Sequence, residues 1–202
     1  MKTLLRPALV LFALLTLLCG LLYPYAVAGI GRLAFSGQAE GSLVLRDGQP
    51  AGSSIIGQAF SSPRYFWGRP SATSPMPNNA AASGGSNQGP LNPALADAVK
   101  ARIAALKAAD PDNAAPVPVD LVTASGSGLD PDISIAAAYY QAGRIARERR
   151  LGVDAVRKLI DERRQSAFLG FLGEPRVNVL ALNLALDQAA GVASSRKSGH
   201  TR

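Results

Sequence analysis

The sequence predicts an α+β protein with more helix than strand, hung from a single N-terminal membrane-spanning helix. Three observations carry this. No charged side chain occurs between Arg6 and Arg32, and the intervening residues are almost all apolar, as a helix crossing hydrocarbon requires. Further on, apolar residues recur at helical spacing in several separate segments. Strand signals are few and short. The expected division is residues 1–31 as a transmembrane anchor, 32–193 as one soluble α+β domain, and 194–202 as a disordered basic tail.

The anchor comes first. From Ala8 through Leu22 and on to Ile30 the chain spans roughly 35 Å as a helix at about 1.5 Å per residue, enough for a bilayer core with some tilt. Tyr23 and Tyr25 fall where an interfacial aromatic belt belongs. Lys2, Arg6 and the terminal amine precede the run, so the excess of positive charge places the N-terminus in the cytoplasm and everything after the span outside it. A cleavable signal peptide competes with this reading, because Ala26-Val27-Ala28 fits a cleavage site. The apolar run is longer than such a peptide needs, which favours a retained anchor. Thr16-Leu17-Leu18 lacks the small residues expected before a lipid-modified cysteine at Cys19. Either reading sends the domain across the membrane.

The elements of the domain follow in order. Ser42–Leu45 and Ser53–Ile56 flank Arg46-Asp47-Gly48-Gln49, a β-hairpin pattern around Asp-Gly. Phe60–Pro90 is rich in Pro, Gly, Ser and Asn, an irregular length that implies function or disorder. Asn92-Pro93 opens a helix, Asn as the cap and Pro in the first turn, with Leu95, Val99, Ile103 and Leu106 as its apolar stripe. Val117–Val122 is a candidate edge strand interrupted by Pro118. After a Gly/Ser loop at 123–128, a helix starts at Asp130-Pro131 or Ser134 and runs to about Arg150, with Ile135, Tyr139, Ala142 and Ile145 inward. Gly152 separates it from a helix over 154–164 that turns Val156 and Ile160 to the core. The alternating leucines of 178–190 suit a strand, but Asn178 as a cap and the Leu/Ala content favour helix.

Composition excludes much chemistry. Cys19 is the only cysteine and lies in the span, so the domain has no disulfide and stands on packing or on a partner. His200 is the only histidine and sits in the tail, leaving none for a Ser-His-Asp or Cys-His arrangement and no zinc spacing. No metal site and no bound cofactor are expected. The formal net charge of +7 gathers in Arg144, Arg147, Arg149, Arg150, Arg157, Lys158, Arg163 and Arg164. Four acids dilute this run and no aromatics interleave it, so it reads as a solvated helical face, not a nucleic-acid patch. Ser83-Gly84-Gly85-Ser86 offers backbone amides to an anion but lacks the Gly-Lys-Ser/Thr ending of a phosphate loop. The Asp110/Asp112 and Asp130/Asp132 pairs flank prolines at helix ends, where caps and turns are the ordinary reading.

One segment has the composition of a binding hot spot. Arg64-Tyr65-Phe66-Trp67-Gly68-Arg69 puts three large aromatics between arginines, the residue types enriched where partners dock. The same residues could instead anchor the long loop to the core, and the sequence leaves both readings open.

Several motifs resemble a known family. Gly57–Phe60, Tyr65–Ala72, Ala82–Asn87, Gly89-Pro90 with Asn92-Pro93, Asp120–Asp130, Leu172–Leu180 and Leu182–Asp187 are similar, in order, to the C subunits of bacterial Kdp potassium-transporting ATPases. Family members often carry other residues where this chain has Gln88 and Asp132. The resemblance implies an accessory, non-hydrolytic subunit of a high-affinity potassium uptake pump, single-pass in the inner membrane. Its implied partners are a channel-like potassium-binding subunit, a P-type ATPase subunit and a small stabilising subunit, with ATP and K+ handled by the complex and membrane lipid around the anchor. The family is also described as a catalytic chaperone raising ATP affinity, which implies nucleotide contact at Ser83, Gly84, Gly85 and Ser86. A domain outside the cytoplasm cannot meet cytoplasmic ATP. The topology therefore favours assembly and a place at the outer mouth of the potassium pathway, with Arg64, Tyr65, Phe66, Trp67 and Arg69 as the docking segment. A pump subunit also needs its helix retained. The alternative is a secreted or tethered solute-binding or hydrolytic domain acting alone.

Overall fold

The computed structural model describes residues 2–198 and divides into two compact units, Met1–Ser53 and Ser54–Arg202. The first begins with α1 (Lys2–Leu17), passes through a π-helical turn (Leu18–Leu22) and continues as α2 (Tyr23–Ala34). The stretch Leu4–Ala34 is long and apolar enough to cross a membrane, with a mean hydropathy of 2.2 and none of it buried. A short helix, α3 (Ser36–Ala39), leads into the hairpin of β1 (Leu43–Arg46) and β2 (Gln49–Ser53). Asp47 and Gly48 both take positive φ, 52° and 77°, the backbone that a two-residue hairpin turn demands. Arg46 therefore pairs with Gln49, and the second strand lies four residues earlier than Ser53–Ile56. The hairpin belongs to the first unit, not to the second.

The second unit contains α4 (Pro93–Ala109), a 3-10 turn (Val119–Leu121), β3 (Asp132–Ser134), α5 (Ile135–Arg149), α6 (Val153–Arg163), β4 (Arg164–Gln165), β5 (Arg176–Asn178) and α7 (Val179–Ser198). Side-chain caps start three of its helices, as the sequence predicts for two. Asn92 Oδ1 accepts from the Ala94 amide, Ser134 Oγ from Ala137, and Asn178 Oδ1 from Ala181, each at 3.0 Å. The central strand β5 pairs antiparallel with both β3 and β4, bringing Ile133 opposite Val177. Helices α5 and α7 leave directly from β3 and β5. The core forms where α5, α6 and α7 meet, around Ala138, Ala142, Ile145, Val156, Ile160 and Leu186. Alanine on α5 lets neighbours approach closely, which suits a chain with few large aromatics.

Three expectations need correction. Val117–Val122 is not a strand: Pro118 lacks a ladder donor, the chain closes into the 3-10 turn, and Asp120 is drawn inward to accept from the Ser134 amide (2.7 Å) and hydroxyl (3.1 Å). Tyr139 does not face the core but is 38% exposed, its hydroxyl donating to Asp161. The inward face of α5 is rotated to 137, 138, 141, 142, 144 and 145, because Gln141 and Arg144 have buried work to do. The arginine run is not wholly a solvated face, since the side chain of Arg149 is 3% exposed and Arg144 is 2% exposed. The backbone of α7 continues helical through 194–198, and residues 199–202, with His200, lie outside the described residues.

Candidate functional site

The irregular segment between β2 and α4 has no partner strand among the described residues, yet its middle enters the core at the fully buried Phe66. Its backbone groups must be paired some other way. Five successive carbonyls are each taken by a side chain from α5 or α7. Arg144 donates to Pro63 O and to Tyr65 O (3.2 Å), and Arg149 Nε donates to Arg64 O (2.7 Å). Asn183 Nδ2 donates to Phe66 O (3.0 Å), and Gln141 Nε2 to Trp67 O (3.1 Å). The two carboxamides also accept: Phe66 N–H donates to Asn183 Oδ1 and Trp67 N–H to Gln141 Oε1, both at 2.8 Å. Each amide thus holds one residue at both its N–H and its C=O, as a neighbouring strand would.

The guanidiniums do a second job. That of Arg144 lies 4.5 Å from the Trp67 ring centroid and that of Arg149 4.6 Å from the Tyr65 ring, close enough for cation–π attraction. Arg144 also donates to Gln141 Oε1 at 2.7 Å. Burial draws the Arg144 pKa down to about 10 by desolvating the cation, so it remains charged at neutral pH. Arg149 is ion-paired with Asp187 at 2.8 Å, and Tyr65 Oη donates to the same carboxylate at 3.3 Å.

This placement sorts the predicted docking segment. Phe66 is fully buried, Tyr65 and Trp67 are half-buried, and Arg64 is exposed. Arg69 is ion-paired with Asp130 at 2.9 Å, and its Nε is buried with no hydrogen-bond partner among the described residues. Next to Trp67 and Arg69 lies an open groove of about 420 Å³, walled by Phe60, Pro70, Pro77, Leu106 and Leu121. Arg102 of α4 stands in its wall, donating to Val122 O at 2.7 Å, with its pKa lowered by burial. The groove offers an apolar floor and cationic edges, the chemistry of a docking cleft for a partner segment with acidic or carbonyl acceptors.

The Ser83–Ser86 stretch sits elsewhere, against the loop 125–128. Gly84 N–H donates to Ser127 O (2.8 Å), and Ser83 Oγ donates to the same oxygen (3.0 Å). A Cβ on Gly85 would meet Gly126 O at 2.9 Å, and one on Gly128 would meet Gly84 O at 2.6 Å. These glycines let two backbones touch, and the amide an anion would need from Gly84 is already engaged. The aspartate pairs act as braces: Asp130 accepts from the Asp132 amide, Asp132 is paired with Arg176, and Asp110 is paired with Arg147. Among the described residues no group of three His, Cys, Asp or Glu could hold a metal.

Sequence reasoning missed Gln141, Arg144, Arg149, Asn183 and Asp187, which position the segment, and Arg102 in the groove wall. A signal existed. Gln141 and Arg144 stand at i, i+3 on the face that also carries Ala138, Ala142 and Ile145, and Asn183 interrupts a run of leucines. Polar residues inside an apolar stripe are buried with a purpose more often than by accident.

Comparison with known proteins gives one consistent result. The family described as KdpC, the K+-transporting ATPase c chain, matches residues 5–188. The chain is 74% identical over 188 residues to the potassium-transporting ATPase KdpC subunit of Herminiimonas arsenicoxydans, covering 93% of this chain and 99% of that protein. It is 71% identical over 188 residues to the subunit of the same name from Janthinobacterium sp. (strain Marseille), covering 93% and 100%. The corresponding Polaromonas naphthalenivorans subunit is 67% identical over 187 residues, covering 93% and 95%.

Proposed function

The chain belongs to the K+-transporting ATPase c-chain family, and from that premise we propose that it is the accessory, non-hydrolytic subunit of a Kdp potassium uptake complex. ATP hydrolysis belongs to a P-type ATPase partner and K+ selection to a channel-like one, with a small stabilising subunit completing the set. The helix over Leu4–Ala34 is the retained anchor, crossing the inner membrane once with its N-terminus in the cytoplasm. The positive charge of Lys2 and Arg6 ahead of it supports that orientation. The remainder of the chain, from residue 32, then works outside the cytoplasm.

The observation that carries the role is family membership over nearly the whole chain. The groove beside Trp67 supports a docking reading of that role. Its walls, with the exposed Arg64 at the start of the segment, present aromatic, proline and arginine surface to the channel-like subunit near the outer mouth of the potassium pathway. Phe66 supports this surface from inside and touches no partner. Nucleotide contact at Ser83, Gly84, Gly85 and Ser86 is not favoured, because the Gly84 amide is engaged by Ser127 and the orientation keeps the loop away from cytoplasmic ATP.

The test is co-purification of the tagged full-length chain from mild detergent. A P-type ATPase and a large channel-like protein are expected to come down with it. Ala105→Phe, an exposed helix position in the groove wall, should fill the groove without touching the buried clamps. Normal melting with lost co-purification and lost growth at low K+ supports docking there; normal co-purification rejects the groove. For orientation, Leu91→Cys in a Cys19→Ser background should react with a membrane-impermeant maleimide in intact spheroplasts, Leu91 being 96% exposed. Labelling only after lysis would reverse the topology and reopen contact with ATP.

A further inference from the structure

We infer that the tip of the β4–β5 hairpin, Phe168-Leu169-Gly170-Phe171-Leu172, is a lipid-contacting finger that dips into the surface of the membrane in which the chain is anchored. Its four large side chains are consecutive around one glycine and are 69%, 70%, 73% and 49% exposed. Other exposed large apolar residues of the second unit, such as Met76, Leu91 and Val119, are dispersed along the chain. Scattered residues of that kind need no explanation, but a contiguous apolar tip does.

The turn itself does not require apolar residues. Phe168 and Leu172 exchange both backbone hydrogen bonds at 2.9 Å, closing a narrow loop. Leu169 and Gly170 form its end with φ of 54° and 82°. The chain's other hairpin, a shorter two-residue turn, puts Asp47 and Gly48 at its positive-φ positions, the usual polar solution. Here a leucine holds the left-handed conformation, which disfavours side chains. The apolar choice therefore answers to something outside the turn.

Charge and tethering identify that something as lipid. Arg163 and Arg164 stand exposed at the hairpin base, neither in an ion pair among the described residues, and no charge intervenes before Glu174. Arg176 at the opposite base is engaged by Asp132; of the acids that precede the two arginines, Asp161 accepts from Tyr139 and Glu162 is ion-paired with Lys158, and Glu174 follows the tip. At about 3.3 Å per residue the base lies roughly 15 Å behind the tip. A tip entering about 5–10 Å leaves the arginines within snorkelling reach of lipid phosphates. Residues 35–53 connect the anchor helix to the second unit, so insertion is an intramolecular event at high effective concentration. A small finger then suffices where an untethered one would not.

The experiment uses the full-length chain, one copy per nanodisc, in a Cys19→Ser background with a fluorophore on Leu169→Cys or, as control, on Leu91→Cys. Brominated phosphatidylcholine should quench the label at 169 and not at 91. The ratio of inserted to free tip should rise about fivefold per arginine when anionic phosphatidylglycerol is added, and Arg163→Gln/Arg164→Gln should flatten that rise. Phe168→Ser/Phe171→Ser should release the tip while Trp67 fluorescence, the reporter of the fold, is unchanged. Equal water accessibility at 169 and 91 in both lipids overturns the inference. So does shielding that appears only with two copies per disc, or only after the pump subunits are co-reconstituted, since the tip would then face protein. The nanodisc holds this chain alone, so failure of the subunit assignment would leave the result untouched.

Discussion

Replacing Arg144 by Met tests the structural account where it is most exposed to failure. Arg144 is 2% exposed and holds the segment at Pro63, Tyr65 and Gln141 while lying over Trp67. Hydrogen bonds to a charged group contribute about 1.5–3 kcal/mol each, and the ring contact adds about 1 kcal/mol. Against this stands the cost of keeping a cation out of water, visible in a pKa drawn down to about 10. Breaking such an arrangement from one side leaves two carbonyls unpaired and costs on the order of 3–5 kcal/mol net, a large share of a domain's stability. At about 2–4 °C per kcal/mol for a protein of this size, the melting point should fall by roughly 10 °C. Trp67 is the chain's only tryptophan, so its fluorescence in the detergent-solubilised full chain follows this unit and not the anchor. Arg144→Lys keeps the charge but not the planar fork and should fall between, whereas Arg157→Met, half-exposed at the surface, should change little. The pH dependence follows with its sign. Burial lowers the folded pKa, so Arg144 is protonated in both folded and unfolded chains below about pH 10, and the gap between wild type and Arg144→Met should be flat from roughly pH 5 to 9. Only above about pH 10, where the unfolded chain holds more protons, should that gap widen. A mutant melting within about 2 °C of wild type would refute the reasoning.

Other predictions address single features. Tyr140 is 8% exposed and its hydroxyl has no partner among the described residues, so Tyr140→Phe should be neutral or stabilising by up to about 1 kcal/mol in thermal melting. Gly128→Ala should cost about 2–4 kcal/mol, because φ is +69° and the new Cβ would meet Gly84 O at 2.6 Å; Gly126→Ala, which meets nothing within 4 Å, should cost little by the same melting assay. Asn183→Leu preserves volume but strips both backbone partners from Phe66, and about 2–5 kcal/mol of stability should be lost in denaturant unfolding.

Periodicity and capping were legible in the sequence, because they are local. The apolar N-terminal helix, the helices capped by Asn92 and Asn178, and the inward Val156 and Ile160 follow from spacing and from a single polar side chain at each cap, while the start of α5 stayed open between Asp130 and Ser134. What was not legible depends on residues far apart in sequence. The three-stranded sheet joins β3 to β5 across more than forty positions through segments of three residues, too short for alternation to show. The rotation of α5 away from Tyr139 is dictated by a loop that lies 74 positions from Gln141. For the same reason the sequence could not decide between hot spot and core for Tyr65-Phe66-Trp67: composition is the same in both, and only the partners of the backbone separate them.

Those partners also bear on how the segment can serve a pump. A strand held in a sheet takes its partners from the backbone of its neighbours. Here the backbone is paired by side chains of α5 and α7, and Trp67, Arg69 and Pro70 still line an open groove. The segment is ordered without being covered. Docking a flexible loop would cost about 0.5–1.5 kcal/mol for each side chain immobilised. A segment already held at five carbonyls has met most of that cost in folding, and with no cysteine in the second unit to form a disulfide, buried arginines and amides are what hold it. The clamp residues should therefore affect assembly through stability, and the groove residues through affinity alone. The two classes are separable by measuring melting and co-purification on the same variants.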